Sequence, residues 1–273
     1  MRVDSSDAVT LFAERARPVR PDFSLEAEEA NVIRICRLVE GMPLGIDLAA
    51  AWLRRLSCAE IADEIESGLG ILASDQLGVR QRHRSIRIVF DQSWALLSTE
   101  ERATLMALSV FRGGATRAAA EAVGCATLTI LSSLVDQSWL RVTASGRYTI
   151  HELQRQYAYE RLSESSDLLQ TFCAAHSAYY LTFLSRPAQQ LLAHDNTDLI
   201  STFCAEIDNV LGAWYWATDH KQGAELSRAM EALYWFSWLS TYHQEGKAAF
   251  QYAVRSLRDE TLDAGLRVAY AHA

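Results

Sequence analysis

Lysine is almost absent from this 273-residue chain: only Lys221 and Lys247 occur among its 26 lysine and arginine residues. A phosphate-binding P-loop requires the order Gly-Lys-Ser/Thr, because its lysine reaches the phosphates of the nucleotide. Here Lys221 precedes Gln222 and Lys247 precedes Ala248. The sequence therefore contains no P-loop.

Features that mark other protein classes are also missing. No run of about 18 apolar residues predicts a membrane span, and the N-terminus lacks the basic and then apolar order of a secretory signal. The five cysteines occur without a Cys-x-x-Cys pair, which predicts reduced core thiols and neither disulfides nor a zinc site. We therefore expect a soluble cytoplasmic protein with no membrane partner and no metal site.

Motifs of stand-alone enzymes are missing as well. The sequence has no His-Glu-x-x-His or Gly-x-Ser-x-Gly motif, no Cys/His dyad spacing and no carboxylate cluster before an apolar pocket. A net charge of −8 and a pI near 5.4 weigh against nucleic-acid binding by the bulk of the chain. We therefore expect that this chain is not an enzyme by itself and has no catalytic residues.

What is present is a series of helices, of which the most informative begins at Pro43. Proline suits the first turn of a helix, and Gly41 tolerates the tight backbone just before it. Apolar residues follow at helical spacing from Leu44 through Leu48 to Trp52, so that one face is expected to be buried. This pattern predicts a packed helix.

The N-terminal residues 1–79 are predicted to form a small helical bundle around that helix. Its other helices are predicted at Asp4–Ala16, Leu25–Val39 and Ala59–Glu66, before a glycine-rich stretch at Gly68–Gly78. The following cluster Arg80–Arg87 is basic. It is interpreted either as a solvated linker or as a contact for an anion such as a nucleotide phosphate.

Residues 80–163 have the order of a winged helix. Helices are predicted at Ile86–Leu97, from Ser98 through Val110, at Thr116–Val123 and at Leu128–Gln137, followed by a β-hairpin of 139–142 and 147–150 and a helix at His151–Arg161. Ser98 and Glu101 have the spacing of a capping box. The candidate recognition helix Leu128–Gln137 has no Arg or Lys, the residues on which phosphate contacts and base readout depend. We therefore expect no nucleic acid to bind through this winged helix; a DNA-binding transcription factor acting directly remains the alternative.

Residues 164–273 are predicted to be helical throughout. The helices are expected at Leu168–Leu184, Asp198–Thr218, Gly223–Ser240, Gln244–Arg258 and Thr261–Ala271. Small and aromatic residues at helical spacing make this part similar to a helix-pair solenoid of the TPR type. Trp214, Trp216, Trp235 and Trp238 are interpreted as inter-helix core, with a ligand box as the alternative. The predicted class is thus mainly all-α: a helical bundle, a winged helix with a small hairpin, and a TPR-like array.

Seven short segments in this order resemble one known family. They are Cys36–Ala50, Arg82–Ile86, Asp91–Leu97, Leu108–Gly114, Leu134–Ser138, Tyr148–Glu152 and Glu206–Val210. The chain resembles the helical half of the STAND or NB-ARC-type signal-transducing P-loop ATPases, in particular bacterial regulators of AfsR-like or LuxR-family architecture. Gly45 and Ala115 depart from the family, which often has alanine after Pro-Leu and a bulky residue after Gly-Gly.

The resemblance implies how the chain would be used. In such ATPases a P-loop domain precedes these segments, and the modules rearrange around ADP or ATP with Mg. Pro43 would pack near the base and sugar of the nucleotide, and His151 would correspond to the histidine that reaches the β-phosphate of ADP. The residues alone also allow His151 to be simply the cap of the helix that it begins.

The sequence therefore predicts a regulatory and interaction fragment that couples nucleotide state to partner binding or self-assembly. The expected partners are the P-loop domain of the parent chain, a second copy of the chain, and a protein or small-molecule inducer on the helical array. Asp208 and Asn209 fall where the regular helix pairs of that array would begin, although a solvated helix start is an equal interpretation.

Overall fold

Helices make up most of the computed structural model, which describes residues 5–67, 83–185 and 197–257. The β structure of these described residues is one two-stranded sheet and one isolated bridge. The predicted mainly all-α class is confirmed.

The helices follow the predicted order with small differences at their ends. They are α1 Ser5–Ala16, α2 Leu25–Leu38, α3 Pro43–Ala51, α4 Cys58–Ser67, α5 His83–Ala95, α6 Thr99–Leu108, α7 Arg117–Gly124, α8 Leu128–Asp136, α9 Glu152–Ser163, α10 Ser166–Ser185, α11 Thr197–Asp219, α12 Gly223–Leu239 and α13 His243–Ser256. A short 3₁₀ helix, Trp52–Arg54, continues α3.

Local sequence signals account for several helix starts. The predicted capping box is confirmed: the backbone amide of Ser98 donates to Glu101 Oε2 at 2.7 Å, and the Glu101 amide donates to Ser98 Oγ at 3.2 Å. The hydroxyls of Thr116 and Thr127 accept amide hydrogen bonds at the starts of α7 and α8. Each contact satisfies a backbone donor that the first turn of a helix leaves without an intrahelical partner.

The chain divides into two compact units, the first being residues 1–102 and 150–160. In it α1 packs against α2 and α3, and α2 packs against α4. The core is apolar and includes Phe12, Ile35, Ile46, Ile61 and Ile65. The start of α9 belongs to this unit, where the Tyr157 hydroxyl donates to Asp91 Oδ1 at 2.6 Å.

The second unit is residues 103–149 and 161–273. It contains the hairpin of β1 Arg141–Val142 and β2 Tyr148–Thr149, which pair antiparallel with Arg141 opposite Thr149. Ala115 adds an antiparallel bridge to Tyr148. The predicted hairpin is confirmed in place but is shorter than expected, because the backbone amides of Trp139 and Leu140 donate to the Leu134 carbonyl of α8 at 2.9 and 3.1 Å and do not join the strand ladder.

Helices α10 to α13 form the helical array of the second unit. The helix α10 packs against α11 and α12, and α13 packs against both α11 and α12. The predicted core position of Trp214 is confirmed, since its indole is fully buried and donates to the Ala249 carbonyl at 3.1 Å. The same prediction is wrong for Trp238, which is 63% exposed. Helical spacing places a residue on a face but does not show whether another helix covers that face.

The cysteines follow the prediction only in part. Cys36 and Cys58 are buried, and burial raises the pKa of Cys36 to about 11 and that of Cys58 to about 12. Cys125, however, is exposed at the C-cap of α7, so the core assignment is wrong there.

Some predictions lie outside the described residues: the stretch Gly68–Gly78, residues 80–82 of the basic cluster and the helix Thr261–Ala271. The module ranges 1–79, 80–163 and 164–273 stay predictions. Within the three described stretches, no single helix has the length and apolar character needed to cross a bilayer. The pair α7 and α8, bent by 106°, meets that test only when both helices are counted together.

Candidate functional site

The turn before Pro43 ends α2 in a left-handed conformation. The Glu40 amide donates to the Arg37 carbonyl at 2.9 Å, and the Gly41 amide donates to the Cys36 carbonyl at 2.8 Å. This is the Schellman pattern, in which glycine is the usual left-handed residue. Here that residue is Glu40, with φ 46°, and Gly41 follows with φ 69°. A side chain at this position costs backbone energy, so its presence needs a reason.

The reason is that Glu40 reaches the start of α9. Its Oε1 accepts a hydrogen bond from the backbone amide of Glu152 at 3.1 Å, and its Oε2 lies 3.8 Å from His151 Nε2. Helix N-termini favour anions, because their first amides point outward and the helix dipole is positive there. Glu40 therefore supplies the anion at this N-terminus.

His151 caps the same helix. Its ring is buried, and Nδ1 accepts a hydrogen bond from the Leu153 amide at 3.2 Å. An accepting Nδ1 places the proton of a neutral imidazole on Nε2, which is the nitrogen near Glu40. The cap interpretation of His151 is thus confirmed, and its second nitrogen faces an anion.

Pro43 is the first residue of α3 and is exposed, three positions after Glu40. The structure therefore brings the Pro43 turn and His151 together through Glu40, although they lie far apart in the sequence. The contacts with a nucleotide proposed for Pro43 and His151 stay predictions. Packing explains why glycine stands at position 45, where the family often has alanine: a Cβ there would lie 2.9 Å from Val39 Cβ.

Sequence reasoning missed a second cluster, which we call the polar junction: Arg147, His176, Tyr180, Glu206 and Asn209. Arg147 at the end of the hairpin turn forms an ion pair with Glu206 of α11, and both side chains are largely buried. The Tyr180 hydroxyl donates to Glu206 Oε2 at 2.9 Å, and Asn209 Nδ2 donates to the same oxygen at 3.0 Å. Three side chains of the junction thus donate hydrogen bonds to the buried carboxylate of Glu206.

The polar junction also holds the Gly113–Gly114 turn. Arg147 Nη2 donates to the Gly114 carbonyl at 2.9 Å, and Asn209 Nδ2 donates to it at 3.0 Å. Asn209 Oδ1 accepts from the Arg112 amide at 2.8 Å. Gly114 has φ 80°, and a Cβ there would lie only 2.6 Å from the Tyr148 carbonyl oxygen, so glycine is required.

The electrostatics of the polar junction favour one protonation state. The hydrogen bond to Glu206 raises the pKa of Arg147, which keeps the guanidinium charged. Burial, and then the adjacent Glu206, raise the pKa of Tyr180, which keeps its hydroxyl a donor. Burial lowers the pKa of His176 to about 4, so its ring is neutral at pH 7. Its Nε2 lies 3.3 Å from Asn209 Oδ1.

The sequence carried a signal for part of the polar junction. Glu206 and Asn209 lie within the segment Glu206–Val210, and Arg147 directly precedes the segment Tyr148–Glu152, whereas His176 and Tyr180 lie outside all seven segments. Glu206 and Asn209, three apart on α11, are buried, whereas Asp208 between them is exposed. The solvated interpretation is therefore right for Asp208 and wrong for Asn209.

The candidate recognition helix α8 presents few groups suited to DNA. Leu128, Thr129, Ser132 and Asp136 are its exposed residues, and none is basic. A helix that reads a major groove depends on hydrogen-bond donors such as Arg, Lys, Asn and Gln.

The chain matches longer mycobacterial proteins. It is 32% identical over 246 residues to a "Putative HTH-type transcriptional regulator" of Mycobacterium tuberculosis, and the match covers 85% of this chain and 27% of that protein. The chain resembles part of a transcriptional regulator. A Mycobacterium bovis protein of the same description gives the same figures. An uncharacterized M. tuberculosis protein is 36% identical over 201 residues, covering 69% of this chain and 50% of that protein.

This chain thus spans about a quarter of the regulators that it matches and half of the uncharacterized protein. No family model matches the sequence, and no solved structure is significantly similar.

Proposed function

We propose that this chain is the helical regulatory part of a nucleotide-switched transcriptional regulator that carries a P-loop domain elsewhere in the same protein. The similarity to HTH-type regulators supports the regulatory role, and the seven ordered segments support the STAND-type architecture. ATP hydrolysis would belong to the P-loop domain, because this chain has no P-loop lysine. The chain would supply the surfaces that respond to the nucleotide.

The contact between Glu40 and the start of α9 carries the proposal. An imidazole N–H and the first amides of a helix are donors suited to a phosphate, and here both face a carboxylate. Glu40 and a phosphate would compete for these donors because both are anions. His151 would hold the β-phosphate of ADP when Glu40 moves aside, and Pro43 would pack against the base and sugar.

Bound ADP would supply a polyanion shared with the P-loop domain, which would also hold the Mg ion. Loss of that anion would return His151 and the Glu152 amide to Glu40. The residues of this chain would thus alternate between an internal and an external anion, and this exchange is the proposed switch.

The polar junction would transmit the change. It fastens the hairpin and the Gly113–Gly114 turn to α11, so that the wing and the helical array would respond together. The output would be exposure of a surface for a partner protein or for a second copy of the regulator. The inducer would act on the helical array, since stacked helix pairs create extended concave faces.

The test uses the complete regulator that contains this chain and its P-loop domain. His151→Ala should lower the amount of ADP that copurifies with the protein and raise its basal activity. The matched control is His220→Ala, since His220 is an exposed histidine of the second unit that stacks on Trp216. Unchanged ADP retention in His151→Ala would refute the assigned role.

Calorimetry gives an independent check. ADP and ATP–Mg are titrated into the 273-residue chain and into the complete regulator. We expect binding only to the complete regulator, because the chain lacks the phosphate loop. Tight binding to the 273-residue chain alone would contradict the proposal that nucleotide binding requires the P-loop domain.

A further inference from the structure

A pocket of about 460 Å³ lies between α12 and α13 of the helical array. Its walls are formed by Tyr234, Ser237 and Trp238 of α12 and by His243, Lys247 and Phe250 of α13. The volume falls within the range of roughly 300–1,000 Å³ that is usual for small-molecule sites.

The close approach of the two helices at one point creates this pocket. Gly246 is buried against Ser237, and a Cβ at Gly246 would lie 2.1 Å from Ser237 Oγ. The larger side chains on either side of this contact line the cavity. The Ser237 hydroxyl donates to the Leu233 carbonyl at 2.7 Å and is therefore already satisfied.

The aromatic wall of the pocket faces solvent. Trp238 is 63% exposed, whereas Trp214 of the same array is fully buried. The His243 ring lies 6.5 Å from the Trp238 ring and Phe250 is buried at the base. A planar apolar ligand would find a stacking surface here and would remove a large aromatic side chain from water.

The charge of the pocket is positive in an otherwise acidic chain. Lys247 is one of only two lysines in a protein of net charge −8, and it is exposed at the pocket wall. The described residues that line the pocket include no carboxylate. An ammonium group beside an aromatic wall favours a ligand that combines a planar ring with an anionic group.

We propose that this pocket binds a small aromatic carboxylate, with the ring against Trp238 and Tyr234 and the carboxylate on Lys247. This deepens the proposed function, on which it rests for the role of the ligand as inducer. The binding itself depends only on the second unit.

The test titrates 2-naphthoate and its uncharged analogue 2-naphthamide into the 273-residue chain, without nucleotide, by calorimetry. The acid should bind about tenfold more tightly than the amide, since a charge-assisted contact is lost in the amide. Lys247→Met should reduce the affinity for the acid to that for the amide. Trp238→Leu should weaken the binding of both, and both substitutions are at exposed positions.

Lys221→Met is the matched control, because it removes the other lysine and the same charge. An equal loss of acid binding in both lysine variants would indicate diffuse attraction to the surface and would overturn the proposal. Equal affinity for acid and amide, or no measurable binding of either, would also overturn it. Because no nucleotide is present, these outcomes are independent of the ADP-retention test of the proposed function.

Discussion

The carboxylate of Glu40 accepts a hydrogen bond from the backbone amide of Glu152, a residue 112 positions further along the chain. This contact joins the turn that precedes Pro43 to the helix that His151 caps. It also explains why a glutamate occupies a left-handed position where glycine would be less strained.

Substitutions at Glu40 should separate backbone strain from the loss of the carboxylate. Glu40→Ala loses the carboxylate and keeps the strain of φ 46°, whereas Glu40→Gly loses the carboxylate and relieves the strain. We expect the alanine variant to be less stable than the glycine variant by about 1 kcal/mol, measured by urea unfolding. Equal stabilities would mean that the turn relaxes when the side chain is removed.

The ion pair of Arg147 and Glu206 should show strong coupling in a double-mutant cycle. Arg147→Met or Glu206→Leu alone leaves a buried charge without its partner and should cost about 3–5 kcal/mol in the free energy of unfolding. The double variant should cost clearly less than the sum. The matched control is the exposed pair of Arg228 and Glu225, where the coupling should be about 0.5 kcal/mol or less. Additive losses at Arg147 and Glu206 would contradict the buried ion pair.

His176 should make stability depend on pH. Burial lowers its pKa from 6.5 to about 4 in the folded chain, so the unfolded chain binds more protons between these values. The contribution of His176 to the free energy of unfolding should therefore be fully present above pH 6.5. It should be lost as the pH drops toward 4, which lowers the free energy of unfolding by up to about 3 kcal/mol. His176→Gln should flatten this part of the profile, which urea unfolding at several pH values would measure. An unchanged slope in that variant would assign the effect to other groups.

Gly114 and Gly146 form a matched pair for testing the turn that the polar junction holds. Both have positive φ, 80° and 78°, but a Cβ at Gly114 would meet the Tyr148 carbonyl oxygen, whereas at Gly146 it meets nothing within 4 Å. Gly146→Ala should cost only the backbone strain, about 1 kcal/mol. Gly114→Ala should cost at least about 2 kcal/mol more, because the hairpin must also shift. Thermal unfolding followed by circular dichroism would compare them, and equal losses would argue against the tight contact.

Much of the fold could be predicted because its signals are local. The capping box of Ser98 and Glu101 spans three positions, and the structure forms it as predicted. The helix start at Pro43 and the hairpin turn before Arg147 also depend on residues next to each other in the chain. The extent of the hairpin was misjudged, because the amides of Trp139 and Leu140 donate to the Leu134 carbonyl, a contact that depends on how the chain leaves α8.

The candidate sites were predicted less completely. Pro43 and His151 were selected by resemblance, but nothing in their spacing indicated that Glu40 would connect them. The sequence did not indicate the contacts of the polar junction. Arg147 and Glu206 lie 59 positions apart, and in the sequence each resembles an ordinary surface charge. Trp238 followed the helical pattern of a core residue and proved to be exposed.

The sequence by itself determined the helical class, the order of the elements, the caps and the absence of a P-loop, because these depend on residue types and short spacings. The tertiary structure alone decided which charges are buried as pairs, which aromatic faces solvent, and which anion lies at the start of α9. These properties depend on side chains from distant segments that meet in space, where burial and partner distance set their energies.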